Sequence, residues 1–167
     1  MGSCTSRTRN RTDGAIRSRS KGHSWLPLLA MLLLMLGAQG AQATTFTDNV
    51  DGSQSFNVDS EPLGGVAGCG MVVGSHVYAT RPLTTAASTI YTFTITSVSG
   101  MDGDPFLAVY QGAFNPGNPT SGLIACNDDA NGLLSEFSAA LTASTQYTIV
   151  TTTFGSPGST GSATYTA

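Results

Sequence analysis

The chain reads as an all-β protein, an antiparallel β-sandwich or jelly roll of about eight strands preceded by a signal peptide. Three observations predict this. Beyond residue 43 the composition is rich in Thr, Ser, Gly and β-branched residues and almost free of Lys and Glu, which disfavours helix and favours strands. Apolar and hydroxyl-bearing residues alternate with a period of two in several short segments. Clusters of Gly, Pro, Asn and Asp separate those segments at spacings of roughly ten residues.

The first 43 residues stand apart from the fold. Arg7, Arg9, Arg11, Arg17, Arg19 and Lys21 make a basic opening, an apolar run WLPLLAMLLLML covers 25–36, and Ala41-Gln42-Ala43 supplies a small-x-small cleavage pattern. These are the parts of a secretory signal peptide, and an apolar run of twelve residues falls short of the roughly 20 that a membrane-spanning helix needs. An uncleaved anchor is the alternative, but no stop-transfer pattern follows. The expectation is an exported protein, secreted or at the cell surface, with one domain over 44–167 and no stable membrane insertion after cleavage.

Removing the leader changes the charge balance. Six of the seven basic residues leave with it, so Arg81 faces nine acids and the remainder carries a net −8. A chain with one cation cannot neutralise a row of phosphates, which excludes nucleic acid as a natural partner. Excess carboxylate favours cations instead, and outside a cell that means calcium first. Cys4 leaves as well, and Cys69 and Cys126 remain. One disulfide between them would close a loop of about 57 residues and contribute about 3–4 kcal/mol. Two separate buried thiols are the other outcome, since a bridge requires Cα atoms within about 7 Å.

The segment 44–58 reads as two short strands about a hairpin turn at Asp51-Gly52. Five glycines fall in 59–74, which reads as a loop or as a poorly patterned strand near 71–73. Residues 76–83 form a strand with Val77, Ala79 and Arg81 on one face, Tyr78 and Thr80 on the other, and Pro82 at its end or at a sheet edge. The clearest strand is 89–96, where Tyr91, Phe93 and Ile95 alternate with threonines. Two apolar segments, 106–110 and 123–126, flank a loop with two Asn-Pro pairs. The strands 137–142 and 146–154 follow, joined by a short hairpin at 143–145, and 162–166 is the last. The chain stops inside or just after that strand, as a piece of a longer protein would.

From residue 89 to 166 the order of motifs is specific. YTFTIT, then DPFLAVYQGAFNPGNPTSGLIACNDDANG, then FSAALTASTQYTIVTTTFGSPGSTGSATYT resembles bacterial pre-peptidase C-terminal (PPC)-like domains. Asp104-Pro105-Phe106-Leu107 leading into Val109-Tyr110, and Asn127-Asp128-Asp129, carry the likeness most strongly, while 44–74 is placed by analogy. The resemblance implies an exported β-sandwich module that is usually not itself catalytic, and it does not supply a ligand.

Asn127-Asp128-Asp129-Ala130-Asn131-Gly132 fits alternate oxygen ligands before a tight glycine turn, a spacing that can wrap calcium. Asp102 and Asp104 would join Asn127, Asp128, Asp129 and Asn131 if their strand paired with the one ending at Cys126. The plain alternative is turn chemistry, in which Asp and Asn bond their own backbone. Among Tyr78, Tyr91, Tyr110, Tyr147 and Tyr165, alternation assigns Tyr91 and Tyr147 to the core, and Tyr110 before Gln111-Gly112 is the candidate for an exposed stacking residue. His76, the only histidine after the leader, has no G-x-S-x-G elbow to serve. A hydrolase pairing Asp102 or Asp104 with Asp128 or Asp129 lacks a basic or aromatic cleft. The function expected is an exported accessory or structural module, calcium-stabilised, with a module binding polysaccharide or another extracellular polymer or surface protein as the alternative.

Overall fold

A computed structural model describes residues 42–155 and 157–167. The signal-peptide expectation therefore lies outside the described residues, Gln42 and Ala43 excepted. Among the described residues nine strands form: β1 (Thr45–Val50), β2 (Ser55–Val58), β3 (Gly74–Thr84), β4 (Thr89–Gly100), β5 (Pro105–Gln111), β6 (Leu123–Asn127), β7 (Glu136–Leu141), β8 (Gln146–Thr153) and β9 (Gly161–Thr166). They make two sheets, in the orders β1-β9-β4-β7 and β2-β3-β8-β5-β6, and every neighbouring pair is antiparallel. The predicted sandwich is the observed fold. No described helix is long and apolar enough to cross a membrane.

Alternation explains the space between the sheets. Phe93 and Ile95 of β4 turn inward to meet Val109 of β5, Ile149 of β8 and Tyr165 of β9, while Thr92 and Thr96 face water. Burying each such apolar side chain contributes about 1.5–3 kcal/mol. Pro82 sits where it costs no ladder bond, because β2 pairs with β3 only as far as Val77 and leaves that edge of β3 open.

The five-stranded sheet is also buried on its outer face, which alternation alone did not indicate. Phe106, Ala108 and Tyr110 of β5 gather there with Tyr78, Val150 and Cys126. Phe56 and Val58 of β2 flank them, and the segment 59–73 covers them with Leu63, Cys69 and Met71. This segment is a loop containing a short 3-10 turn at Leu63–Gly65, not a strand at 71–73. A disulfide fixes it: Cys69 is bonded to Cys126 of β6, with Cα atoms 5.1 Å apart. Of the two outcomes the sequence left open for these cysteines, the structure has the bridge.

Two turns connect the sheets instead of closing hairpins. Asp51-Gly52 carries the chain from β1, which pairs with β9, to β2, which pairs with β3. Its local chemistry is that of a turn, since the Ser53 N–H donates to Asp51 Oδ1 at 2.9 Å. The divergence follows from burial: Val50 belongs to the core between the sheets and Phe56 to the outer one. Residues 143–145 likewise lead from β7 in one sheet to β8 in the other, with the Ser144 N–H bonded to Thr85 O at 2.8 Å.

One charged cluster ties the sheets together. Asp48 of β1, its side chain 3% exposed, meets Arg81 of β3 at 2.5 Å. Its second oxygen accepts from Thr151 Oγ1 at 2.8 Å and from Tyr165 Oη at 3.0 Å. Arg81 also donates to Thr47 O at 2.7 Å and lies over the Phe46 ring at 5.3 Å. Burial, then the Asp48 charge, drives the Tyr165 phenol far above its ordinary range. Partial burial pulls the Arg81 guanidinium down, but the Asp48 hydrogen bond and charge more than reverse this and raise it.

Candidate functional site

The β5–β6 pairing brings the acidic residues together. Leu107 is in register with Asn127, so Asp104, just before β5, lies beside the residues that follow β6. The Asp104 backbone is held on both sides: its N–H reaches Met101 O at 3.1 Å and its carbonyl accepts from Phe154 at 3.0 Å. Burial raises the Asp104 carboxyl above the usual carboxylate range, and the negative charges of Asp129 and Asp128 add to the shift. Asp104 Oδ1 and Asn127 Oδ1 are both buried without a hydrogen-bond partner.

Four of the six residues expected to form the cation site are thus neighbours: Asp104, Asn127, Asp128 and Asp129. Among the described residues no hydrogen bond or ion pair joins the side chain of Asp102 or Asn131 to them. Asp102 is exposed in the turn Met101–Gly103, and Asn131 forms a one-residue bridge with Leu134. Part of the cluster is turn chemistry, since Asp128 Oδ1 accepts the Asp129 N–H at 2.9 Å. No three His, Cys, Asp or Glu side chains converge as a metal-holding group among the described residues. The donors fit calcium in kind, being hard oxygens of which two lack partners, but they do not form a closed cage.

The Asp104 shift has a sign that can be measured. With its folded pKa above the unfolded value, the native state holds the proton more tightly than the unfolded chain does. Its contribution to stability is therefore highest below the unfolded value of 3.8 and declines as pH rises through the folded pKa. In calcium-free buffer with chelator, Asp104→Asn is expected to remove this slope and to raise the melting temperature at neutral pH. Parallel pH–stability curves for the two proteins would contradict it.

The other candidates are occupied by structure. His76 is fully buried, with one ring nitrogen 3.1 Å from Thr153 O and the other 2.6 Å from Val72 O. The expected exposure of Tyr110 is overturned: it is 1% exposed, beneath Phe114 and the 59–73 cover, and its hydroxyl donates to Pro119 O at 2.9 Å. Burial drives its phenol far above the ordinary range. The hydroxyls of Tyr91, Tyr147 and Tyr165 bond to the Ala87 carbonyl, the Thr142 N–H and Asp48. Tyr78 differs, because its hydroxyl has no partner among the described residues and it borders a groove that alternation did not reveal.

No family model and no curated protein matches the chain. Among solved structures, the chain is similar to that of Aeromonas hydrophila PliG, a periplasmic lysozyme inhibitor of g-type lysozyme. The identity is 17%, the TM-score 0.44, and the match covers 78% of this chain and 89% of that one.

Proposed function

We propose that the chain is an exported, non-catalytic β-sandwich module of the PPC-like kind, acting in the secreted space or on the cell surface. The observation that carries this reading is how its scarce reactive groups are used. Beyond the leader there is one histidine and one basic residue, and His76 is buried against two carbonyls while Arg81 is spent on Asp48. A histidine base and a cationic stabiliser are thereby committed to the scaffold, which leaves only the turn carboxylates for acid–base chemistry, and these have no basic or aromatic cleft about them. The Cys69–Cys126 bridge supports export, since such bonds persist in oxidising compartments.

The test is to recover the protein from the medium or periplasm of an expressing bacterium. Its N-terminus is expected at Thr44, and it should hydrolyse neither peptides nor glycosides. Hydrolysis that Asp128→Asn abolishes would overturn the reading.

Calcium stabilisation belongs to the same proposal and rests on the unpartnered Asp104 and Asn127 oxygens beside Asp128 and Asp129. Asp104 and Asn127 would supply those oxygens to the ion, which would offset the mutual repulsion of the carboxylates. Saturating calcium at 100 times its Kd is expected to add about 2.7 kcal/mol. A melting temperature that moves with neither millimolar calcium nor chelator removes this part of the proposal and leaves the module reading intact.

A further inference from the structure

Outside the acidic turn, the molecule carries a groove of 260 Å³ on the outer face of the five-stranded sheet, lined by Gln54, Tyr78, Thr80, Pro82, Ala113, Phe114 and Thr148. We propose that this groove binds a single neutral sugar ring of an extracellular glycan, stacked on its aromatic and proline walls and hydrogen-bonded by its amide and hydroxyl groups. The lining contains no charged residue, in a protein that otherwise carries nine acids beyond its leader. That chemistry selects an uncharged ligand with both an apolar face and hydroxyls. A pyranose has both, presenting C–H groups on one face and hydroxyls around its edge.

The walls brace one another. Phe114 meets Tyr78 edge-on at 5.0 Å and Phe56 edge-on at 5.4 Å, and it packs on Tyr110 at 4.8 Å. Phe56 in turn meets Tyr78 edge-on at 5.6 Å, so neither aromatic wall is free to collapse into the groove. The Tyr78 backbone N–H donates to Gln54 O at 3.2 Å, which fixes Gln54 beside it. Thr148 gives its hydroxyl proton to Gly112 O at 2.6 Å and keeps its oxygen as an acceptor.

The polar groups are unspent. Tyr78 is 7% exposed as a residue, and its hydroxyl, which has no partner among the described residues, reaches solvent at the groove. The side chains of Gln54 and Thr80, both exposed, likewise make no hydrogen bond there. Polar groups that reach solvent and spend no bond on the protein are free to exchange their water for the hydroxyls of a ligand. A groove of this volume holds one ring, with the rest of a chain running out along the open edge of β3.

The test is an amide-resolved NMR titration of the exported chain with cellotetraose, chitotetraose and maltotetraose, with their monosaccharides, and with acidic tetragalacturonate as a charged control. At least one neutral tetrasaccharide is expected to shift the amides of Gln54, Tyr78, Thr80, Phe114 and Thr148, and tetragalacturonate none. Tyr78→Phe and Thr80→Val keep shape and packing, and each should weaken binding by about 3- to 10-fold. Tighter binding of a tetrasaccharide than of its monosaccharide assigns a polymer as the source, and equal binding assigns a free sugar. If no neutral sugar shifts groove amides, or if both variants bind as tightly as the parent at unchanged melting temperature, the proposal is overturned. Neither failure bears on whether the module is exported and non-catalytic, which the secretion and hydrolysis assays decide.

Discussion

Replacing Arg81 with methionine is expected to destabilise the protein by about 3–5 kcal/mol, because it leaves the Asp48 carboxylate buried between the sheets without its cation. Total stability of a domain is about 5–15 kcal/mol, so this is a large fraction of the whole. Two neutral donors would remain on Asp48, Thr151 and Tyr165, and they soften the loss without replacing a charge. Asp48→Asn should cost less. The Arg81 side chain is 33% exposed against 3% for Asp48, so the guanidinium can turn to water where the carboxylate cannot.

The two substitutions should not add. Asp48→Asn combined with Arg81→Met replaces a stranded charge with a neutral amide that still accepts from Thr151 and Tyr165. The double variant is therefore expected to be more stable than Arg81→Met alone, with a coupling above roughly 1 kcal/mol in urea unfolding. Strict additivity would mean that the pair is a surface contact in energetic terms, in spite of the burial of Asp48. Salt distinguishes the cases too, because a buried pair is screened far less than an exposed one.

How far the sequence foretold these features depended on how local the deciding interactions were. β4 was legible because one of its faces meets water, so Phe93 and Ile95 stand out against Thr92 and Thr96. In β5 all residues but Gln111 are buried, so alternation carried no information and Tyr110 passed for an exposed residue. What buries it lies outside its own strand: Phe114 and Pro119 of the following loop touch it, and 59–73, a glycine-rich cover with no period of its own, joins the same cluster through Leu63, Cys69 and Met71. Asp51-Gly52 looked like a hairpin because a hairpin and a crossover between sheets use the same turn residues. The destinations of Val50 and Phe56 decide between them, and those are set by the whole fold. At the acidic turn, spacing found Asp104, Asn127, Asp128 and Asp129 but could not show that Asp102 and Asn131 stand aside. The groove was out of reach altogether, since Gln54, Phe114 and Thr148 come together only through packing.

That dependence on the cover makes the disulfide the second large effect. Replacing Cys69 and Cys126 together by alanine frees a loop of 57 residues, and the chain-entropy model puts the loss at about 4 kcal/mol. The loss should also be uneven. The 59–73 segment holds itself with few backbone bonds, among them Leu63 N–H to Cys69 O at 2.8 Å and Cys69 N–H to Val66 O at 3.1 Å. Once untied, it can open and expose Phe106 and Tyr110 while the core between the sheets stays closed. Amide exchange at Leu63, Val66 and Cys69 position is then expected to accelerate much more than exchange at Ile95 and Ile149. Equal acceleration at both sets would show that the two cores unfold as one unit and that the cover is no separate element. Phe56, Tyr78 and Phe114 belong to the outer cluster, so an opened cover would loosen the groove walls as well. In the alanine pair, a groove that still binds its sugar as tightly as the parent would show that the walls hold without the clamp.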